Sequence, residues 1–266
     1  MQRMRPHALL FLLLAAACTP VAQQNRLETT PRHDEWVTID SGGRTLHAYV
    51  VYPQSSKKAG AVMVLHENRG LTDWVRTVAD KLAEKGYLAI APDLLSGAAP
   101  NGGRTSDFPT SDAAREAISK LPREQVLADL AATANYVRTL PSANGKLAVA
   151  GFCWGGGRTW DAANTIDNVA VAFPFYGTGP STDEGVTGIE APVYGFYGGA
   201  DARVNSTIEP TRALMDKHGK KFEPVIYEGA GHAFMRLGEE ASPSQENRTA
   251  RDAAWVRWLT LLRAID

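Results

Sequence analysis

The segment KLAVAGFCWGGG, residues Lys146–Gly157, contains the strongest structural signal in the chain. A short apolar run leads into Cys153, which has a glycine two residues before it and another two residues after it, and a helix-compatible segment follows. This order predicts a strand, a tight turn and a helix, with Cys153 at the turn. The spacing is that of the Gly-x-Ser-x-Gly nucleophile elbow with sulfur in place of the hydroxyl oxygen. Side chains at Gly151 and Gly155 would collide with the neighbouring helix and strand, which explains both glycines.

Cys153 has two interpretations. As a nucleophile, its thiol would stand above the sheet, and the first N–H groups of a helix that begins near Trp154 would favour a thiolate and later a carbonyl oxyanion. As a structural residue, it would be a buried cysteine beside a glycine-rich turn. The rest of the chain has to decide between the two.

Apolar runs of strand length alternate with helical stretches from residue 61 onward. Such alternation predicts an α/β fold, in which a mostly parallel sheet has helices on both faces. The predicted strands are 61–65, 87–91, 146–150, 169–173, 193–197 and 223–227. The predicted helices are 73–85, 123–140, 155–166, 206–218 and 244–264.

Two strand-like segments, 36–40 and 44–52, precede this region and are separated by Ser41-Gly42-Gly43. That turn composition predicts an N-terminal hairpin, which would form the antiparallel edge of the sheet. A later segment, Ser96–Asp112, contains glycines, prolines and hydroxyl residues without an apolar period. It therefore predicts a surface loop near the functional face.

In open parallel sheets, functional residues collect in the loops that leave the carboxyl ends of the strands. Cys153, Asp201 and His232 each follow a predicted strand, in that chain order. His232 could take the thiol proton, while Asp201 would orient the imidazole and stabilise its charged form. Taken singly, Asp201 could cap a turn or a helix, and His232 could be a surface histidine in a glycine loop. Their occurrence together, in the order of a hydrolase triad, favours the catalytic interpretation.

Composition excludes several classes of partner. The 266 residues include 28 Lys and Arg against 29 Asp and Glu, a formal net charge of -1. Such a balance provides no basic footprint, so we expect no nucleic-acid partner. The length suits one large α/β domain, and we expect a monomer that binds a small molecule.

The first residues are typical of a bacterial signal peptide. Arg3 and Arg5 precede the apolar run 8–17, which is too short to span a bilayer, and Cys18 follows three alanines. The residues before Cys18 resemble a lipobox, so we predict lipidation of Cys18. Ordinary secretory cleavage is the alternative.

Processing at this site would divide the chain into three parts. Residues 1–17 would be the signal peptide, residues 18–35 a polar, flexible tether, and residues 36–266 a single folded domain. We therefore expect an exported periplasmic or cell-envelope lipoprotein whose only contact with a membrane is the N-terminal lipid. Cys153 would be the single free thiol of the mature chain.

From about Trp36 to its end, the chain resembles the dienelactone hydrolase family, also called carboxymethylenebutenolidases. The resemblance covers nearly the whole mature domain and rests on five short motifs that are weak singly and specific together. They are His66-Glu67-Asn68-Arg69-Gly70, Ala91-Pro92-Asp93-Leu94, Gly151-Phe152-Cys153-Trp154-Gly155-Gly156, Gly199-Ala200-Asp201 and Gly231-His232-Ala233-Phe234.

This resemblance implies an α/β-hydrolase fold and cleavage of an ester or lactone by a Cys-His-Asp triad through a thioester, with no metal or organic cofactor. It implies that Glu67 pairs with the resting thiol and moves aside when substrate arrives; an exposed loop carboxylate is the alternative. The backbone N–H groups of Asn68 and Trp154 would form the oxyanion hole. Three arginines would bind substrate: Arg236, Arg115 and Arg69.

Arg115 could equally be an exposed helical arginine, and Arg69 lies in the loop that should border the pocket. No HExxH motif or paired Cys-x-x-Cys spacing is present, so we expect no metal site. The alternative function is an exported binding or envelope-associated protein that keeps the fold without using the triad.

Overall fold

Eight strands form one sheet in a computed structural model of the chain, which describes residues 26–266. Their order across the sheet is β1-β2-β4-β3-β5-β6-β7-β8. The β1/β2 and β2/β4 pairs are antiparallel, and all other neighbouring pairs are parallel. The strands are β1 (Asp34–Ser41), β2 (Arg44–Val51), β3 (Ala59–Leu65), β4 (Leu88–Asp93), β5 (Ala143–Phe152), β6 (Val169–Phe175), β7 (Val193–Gly198) and β8 (Phe222–Tyr227).

Helices cover both faces of this sheet. They are α1 (Asp73–Glu84), α2 (Ser111–Ser119), α3 (Arg123–Thr139), α4 (Trp154–Thr165), α5 (Ala202–Asn205), α6 (Ile208–Lys217), α7 (Phe234–Leu237) and α8 (Gln245–Leu262). The helices α1 and α8 pack on one face, and α3, α4 and α6 pack on the other. The arrangement confirms the predicted mostly parallel sheet with an N-terminal antiparallel hairpin.

The central strand β3 is apolar along its whole length because both of its faces are covered. Every residue of β3 is buried. Successive side chains alternate between the two cores, with Val62 and Val64 on the α1 side and Met63 and Leu65 on the α3 side. Side chains of a strand point alternately to opposite faces, so a strand between two helical layers has no polar positions.

The predicted elements are all present, with ends shifted by a few residues, but three short helices were missed. Within the predicted loop Ser96–Asp112 the chain forms short 3-10 turns, and α2 begins at Ser111. The Thr110 hydroxyl caps α2 by accepting a hydrogen bond from the Ala113 N–H at 3.1 Å. Only Ala114 and Ile118 of α2 are buried, so the helix leaves almost no apolar period in the sequence.

The N-terminal prediction is only partly visible. The predicted signal peptide and Cys18 lie outside the described residues. From residue 26 onward the predicted tether lies against the domain, and β1 begins at Asp34, two residues before the expected boundary. Arg32 donates two hydrogen bonds, at 2.7 and 2.8 Å, to the carboxylate of Asp80, whose side chain is fully buried on α1. Arg26 and Thr30 bond to the same carboxylate.

These contacts explain why a polar segment without periodicity is ordered: it provides the partners that a buried aspartate requires. Among residues 26–266, no helix is both long and apolar enough to cross a membrane.

Candidate active site

Cys153 stands at the junction of β5 and α4 in a strained backbone conformation. Its φ of 54° and ψ of -113° lie outside the ordinary regions for a residue with a side chain. The Cys153 N–H donates to the Phe175 carbonyl at 3.0 Å, which ties the turn to the end of β6. Such strain persists only where the surroundings enforce it, and here it lifts the thiol above the carboxyl edge of the sheet.

The glycines on either side allow this turn. A Cβ at Gly151 would lie 2.1 Å from the Gly155 carbonyl oxygen, and a Cβ at Gly155 would lie 2.4 Å from the His66 carbonyl oxygen. Both distances are far inside van der Waals contact. The second close approach has a further effect, because it presses the loop after β3 against the first turn of α4. Asn68 and Trp154 consequently line the same cleft as Cys153.

His232 and Asp201 meet in the loops that follow β8 and β7. The Nδ1 of His232 lies 2.5 Å from Oδ2 of Asp201. Asp201 is buried, and its other carboxylate oxygen accepts a hydrogen bond from the Val204 N–H at 3.3 Å. Asp201 therefore caps α5 through one carboxylate oxygen and contacts His232 through the other.

The side chain of His232 is hydrogen bonded on both sides. Burial lowers the pKa of His232. Hydrogen bonds to Cys153 and Asp201 and the negative charges of both have the larger, opposite effect, and the net result is a pKa of about 9. The imidazolium beside the Asp201 carboxylate is thus the favoured form of His232 near neutral pH. The arrangement places a group that can exchange protons next to the thiol of Cys153.

Glu67 is buried beside this group and is paired with Arg236. Its Oε2 accepts a hydrogen bond from Arg236 Nε at 2.7 Å, and its Oε1 lies 3.5 Å from the hydroxyl of Tyr176. Burial and the negative charge of Glu67 raise the pKa of Tyr176, so the hydroxyl stays protonated and donates. The Tyr176 ring also packs edge-on against His232, with centroids 5.2 Å apart.

A cleft of about 900 Å³ opens beside the Cys153 thiol. One wall is the face of α2, and another is the first turns of α4 and α5. Three arginines from three different helices line it, together with two acidic side chains. The charged side chains that line the cleft are Arg115, Arg158, Arg203, Asp112 and Glu116.

The predicted substrate arginines are thus placed differently from one another. Arg115 is exposed and lines the cleft from α2. Arg236 does not line it and instead bonds to Glu67, with Glu240 at 3.7 Å. Arg69 is exposed and is also absent from the cleft wall. The structure therefore brings one of the three to the cleft.

Three residues of the site were missed from the sequence: Tyr176, Arg158 and Arg203. Tyr176 follows β6 directly, so the rule that functional residues follow parallel strands would have found it. Arg203 comes two residues after Asp201, in the first turn of α5. Arg158 lies one turn into α4, and nothing in its sequence context separates it from an ordinary helical arginine.

Metal ligands are not gathered here. Within residues 26–266, no group of three or more His, Cys, Asp or Glu side chains is arranged to hold a metal ion. The chemistry that the site offers is that of a thiol, an imidazole, carboxylates and guanidinium groups.

Comparison with known proteins gives consistent matches. The family model described as "Dienelactone hydrolase family" matches residues 46–265. A Yersinia pestis protein named "Putative carboxymethylenebutenolidase" is 32% identical over 250 residues, covering 89% of this chain and 90% of that protein. A Bradyrhizobium protein named "Probable 2-oxo-3-(5-oxofuran-2-ylidene)propanoate lactonase" is 29% identical over 242 residues, covering 86% of this chain and 93% of that protein.

A crystal structure from Klebsiella pneumoniae, titled as that of a "Putative Dienelactone Hydrolase", superimposes with a TM-score of 0.76 at 28% identity. The match covers 88% of this chain and 99% of the other. The two chains share one architecture, which confirms the α/β-hydrolase fold expected from the motifs.

Proposed function

This chain belongs to the dienelactone hydrolase family, and from that membership we propose that it cleaves an ester or lactone through Cys153, His232 and Asp201. The observation that carries the proposal is the contact of 2.5 Å between His232 Nδ1 and Asp201 Oδ2, with the opposite side of the imidazole hydrogen bonded to Cys153. A triad needs this chain of contacts, because the base must reach the nucleophile while a third group fixes its orientation.

In the first half of the proposed reaction, the Cys153 thiolate attacks the substrate carbonyl carbon. The N–H groups of Asn68 and Trp154 hold the oxyanion that forms; the N–H of Trp154, the first residue of α4, has no acceptor within its own helix. The oxyanion collapses to a thioester as the carbon–oxygen bond breaks. His232 gives its proton to the departing alkoxide, which becomes an alcohol, or in a lactone a hydroxyl tethered to the acyl group.

In the second half, water replaces the alcohol. Neutral His232 accepts a proton from water as the oxygen attacks the thioester carbonyl. The second tetrahedral intermediate expels the Cys153 thiolate, which regains its imidazolium partner. One ester bond and one water are consumed, and one acid and one alcohol are formed, so no oxidant, metal or cofactor takes part.

We propose a substrate that carries a negative charge. Arg115 and Arg203 line the cleft and have no ion-pair partner among the described residues, while Arg158 is paired with Asp161 at 3.0 Å. Guanidinium groups suit carboxylates because they supply parallel N–H donors in one plane. The name of the Bradyrhizobium relative describes a lactone with a carboxylate, which agrees with such a lining.

The decisive experiment is hydrolysis of p-nitrophenyl acetate by wild type, Cys153→Ala and Cys153→Ser. We expect turnover by wild type, none by the alanine variant and only a trace by the serine variant, because a hydroxyl is a far weaker acid than a thiol. Circular dichroism should show that all three fold alike. Equal activity in Cys153→Ala would contradict the nucleophile, and an inactive wild type would favour the alternative of a binding protein without catalysis.

We also propose export with lipidation of Cys18, a residue outside the described part of the chain. The support is the charged and apolar N-terminal pattern alone. Labelled palmitate should enter the wild type and not Cys18→Ser in cells, while the purified variant should hydrolyse esters normally. If wild type is soluble and takes up no label, Cys18 is not lipidated and ordinary secretory cleavage is favoured.

A further inference from the structure

His66, the residue before Glu67, is fully buried and bonded at both ring nitrogens. Its Nδ1 lies 2.8 Å from the Glu67 carbonyl oxygen, and its Nε2 lies 3.3 Å from the backbone nitrogen of Leu94. A carbonyl oxygen can only accept and an N–H can only donate, so Nδ1 carries the proton and Nε2 accepts. The contacts therefore fix one neutral tautomer, and burial lowers the His66 pKa in the same sense.

The ring of His66 also packs against the other half of the proposed oxyanion hole. It stacks on Trp154 with centroids 5.5 Å apart and planes inclined by 13°. One side chain thus touches the backbone just before Asn68 and the residue just after Cys153. These are the two places from which the proposed oxyanion donors come.

The far end of the same loop is anchored separately. The Thr105 hydroxyl accepts from the Leu71 N–H at 3.0 Å and donates to Asp93 at 2.6 Å. Asp93 and Leu94 both lie at the end of β4, so the loop after β3 is attached to that strand at both ends. His66 provides the attachment on the side of the thiol.

We infer that His66 is a positioning residue that sets the Asn68 N–H relative to the Trp154 N–H, so that both reach one oxyanion. The inference rests on the proposed acyl-transfer reaction and adds to it a residue that touches no substrate. The contact that matters most is the hydrogen bond from Nδ1 to the Glu67 carbonyl, because it acts on the peptide unit that contains the Asn68 nitrogen. Stacking on Trp154 keeps the ring in the plane where that bond forms.

Three variants separate the contacts of His66. His66→Phe keeps a flat ring against Trp154 and removes both hydrogen bonds. His66→Asn places an amide nitrogen near the Nδ1 position, so it can still donate to Glu67. His66→Gln places its amide near the Nε2 position, so it can accept from Leu94 and loses the donation to Glu67.

Two measurements distinguish positioning from general damage. The kcat and KM for p-nitrophenyl acetate report the reaction that uses the oxyanion hole. The alkylation rate of Cys153 by iodoacetamide reports the thiolate alone, because that displacement forms no oxyanion. A third measurement is the inhibition constant of a trifluoromethyl ketone, whose adduct with the thiol places an oxyanion in the hole.

We expect His66→Phe and His66→Gln to lower kcat about 10- to 100-fold, somewhat less than outright removal of an oxyanion donor. KM should change less than about threefold and the alkylation rate should stay at the wild-type value. The inhibition constant of the ketone should rise by the same factor as kcat falls. The kcat of His66→Asn should be at least about threefold higher than the kcat of His66→Gln.

Three results would overturn the inference: an unchanged kcat in His66→Phe, no recovery in His66→Asn, or loss of alkylation in parallel with kcat. A parallel loss of alkylation would mean that His66 maintains the structure of the whole site and does not specifically position the oxyanion donors. Failure of the proposed function is recognised separately, because wild type itself would then hydrolyse no ester.

Discussion

Arg236 donates from Nε to the Glu67 carboxylate at 2.7 Å, so the arginine expected to bind a substrate carboxylate already holds a carboxylate of the protein. The pair is mostly buried, with 30% of the Arg236 side chain and 9% of the Glu67 side chain exposed. A substrate carboxylate could take the Nε donor of Arg236 only by displacing Glu67. Such an exchange would release the negative charge of Glu67 into the site as substrate binds.

The first prediction concerns that exchange. If a substrate carboxylate replaces Glu67 on Arg236, Arg236→Ala should lower kcat/KM about 10- to 150-fold for lactones with a free carboxylate, since a charge-assisted hydrogen bond contributes about 1.5–3 kcal/mol. Neutral esters should lose little. Steady-state kinetics on a matched pair of charged and neutral substrates measures the difference.

The matched control for this variant is Arg212→Ala. Arg212 lies on the exposed side of α6 and has a single weak ion pair, 3.4 Å from Glu209. If Arg236→Ala lowers kcat/KM equally for both substrate types, Arg236 acts by positioning Glu67 and the loop after β8. If kcat/KM falls for neither, Arg236 does not bind substrate.

A second prediction separates the arginines of the cleft from Arg236. Arg115 and Arg203 are exposed, so each should contribute through screened attraction of an anion more than through a fixed hydrogen bond. Arg115→Gln and Arg203→Gln should each lower kcat/KM for charged lactones by about two- to fivefold at low salt, and by less as salt is added. A loss that does not depend on salt would instead indicate a direct, desolvated contact.

A third prediction follows from the raised pKa of His232. In the proposed reaction the imidazolium form of His232 protonates the leaving group; this form persists up to a pKa of about 9 and is lost above it. The alkaline limb of the kcat/KM profile, which reports the free enzyme, should therefore lie near pH 9 in wild type. Asp201→Asn removes one of the charges that raise the pKa, so that limb should move to lower pH.

The same shift affects stability. A histidine whose folded pKa exceeds its unfolded value of about 6.5 stabilises the protein fully below that pH and loses its contribution as pH rises through 9. Urea unfolding at pH 6 and pH 9.5 should therefore show a larger decrease in stability for wild type than for His232→Gln. An equal decrease in both would contradict the assigned shift.

A fourth prediction compares two glycines of α4. A Cβ at Gly155 would lie 2.4 Å from a backbone oxygen, whereas one at Gly157 would lie 3.7 Å from its nearest neighbour. Gly155→Ala should cost about 1–3 kcal/mol of unfolding free energy and most of the activity. Gly157→Ala should be neutral or stabilise by up to about 1 kcal/mol, because alanine favours a helix. Urea denaturation of the two variants measures both, and equal stability would contradict the tight packing at Gly155.

A fifth prediction concerns the segment before β1. Asp80 is fully buried and bonded to Arg32, and Asp80→Asn would leave that buried guanidinium without its counter-charge. We expect a loss of about 3 kcal/mol at pH 7. Asp73→Asn on the same helix, whose partner Arg76 is only partly buried, should cost less than about 1 kcal/mol.

The direction of the Asp80 pKa sets the pH dependence of that loss. Burial raises this pKa, but bonds from Arg32 and Thr30 and the charge of Arg26 lower it below its ordinary value. The stabilisation is therefore present above about pH 4 and disappears as pH falls through the folded pKa. If Asp80→Asn is as stable as wild type at pH 7, the contacts of Arg26, Thr30 and Arg32 with Asp80 do not stabilise the fold.

Local patterns in the sequence predict most of the fold. Uninterrupted apolar runs such as that of β3 predict strands covered on both faces, and Gly151 and Gly155 predict the turn at Cys153. Both signals lie within a few residues of what they describe. The short helix α2 left no such signal, because just two of its side chains are buried.

The sequence also predicted that Cys153, Asp201 and His232 lie close together, because each follows a parallel strand and such strands end at one edge. What only the tertiary structure decided is how the charged groups pair. The ion pair of Arg236 with Glu67 joins residues 169 positions apart. Arg115, Arg158 and Arg203 line the same cleft from three different helices. Pairing of this kind depends on distances of a few ångströms between side chains, which no periodicity or spacing along the chain encodes.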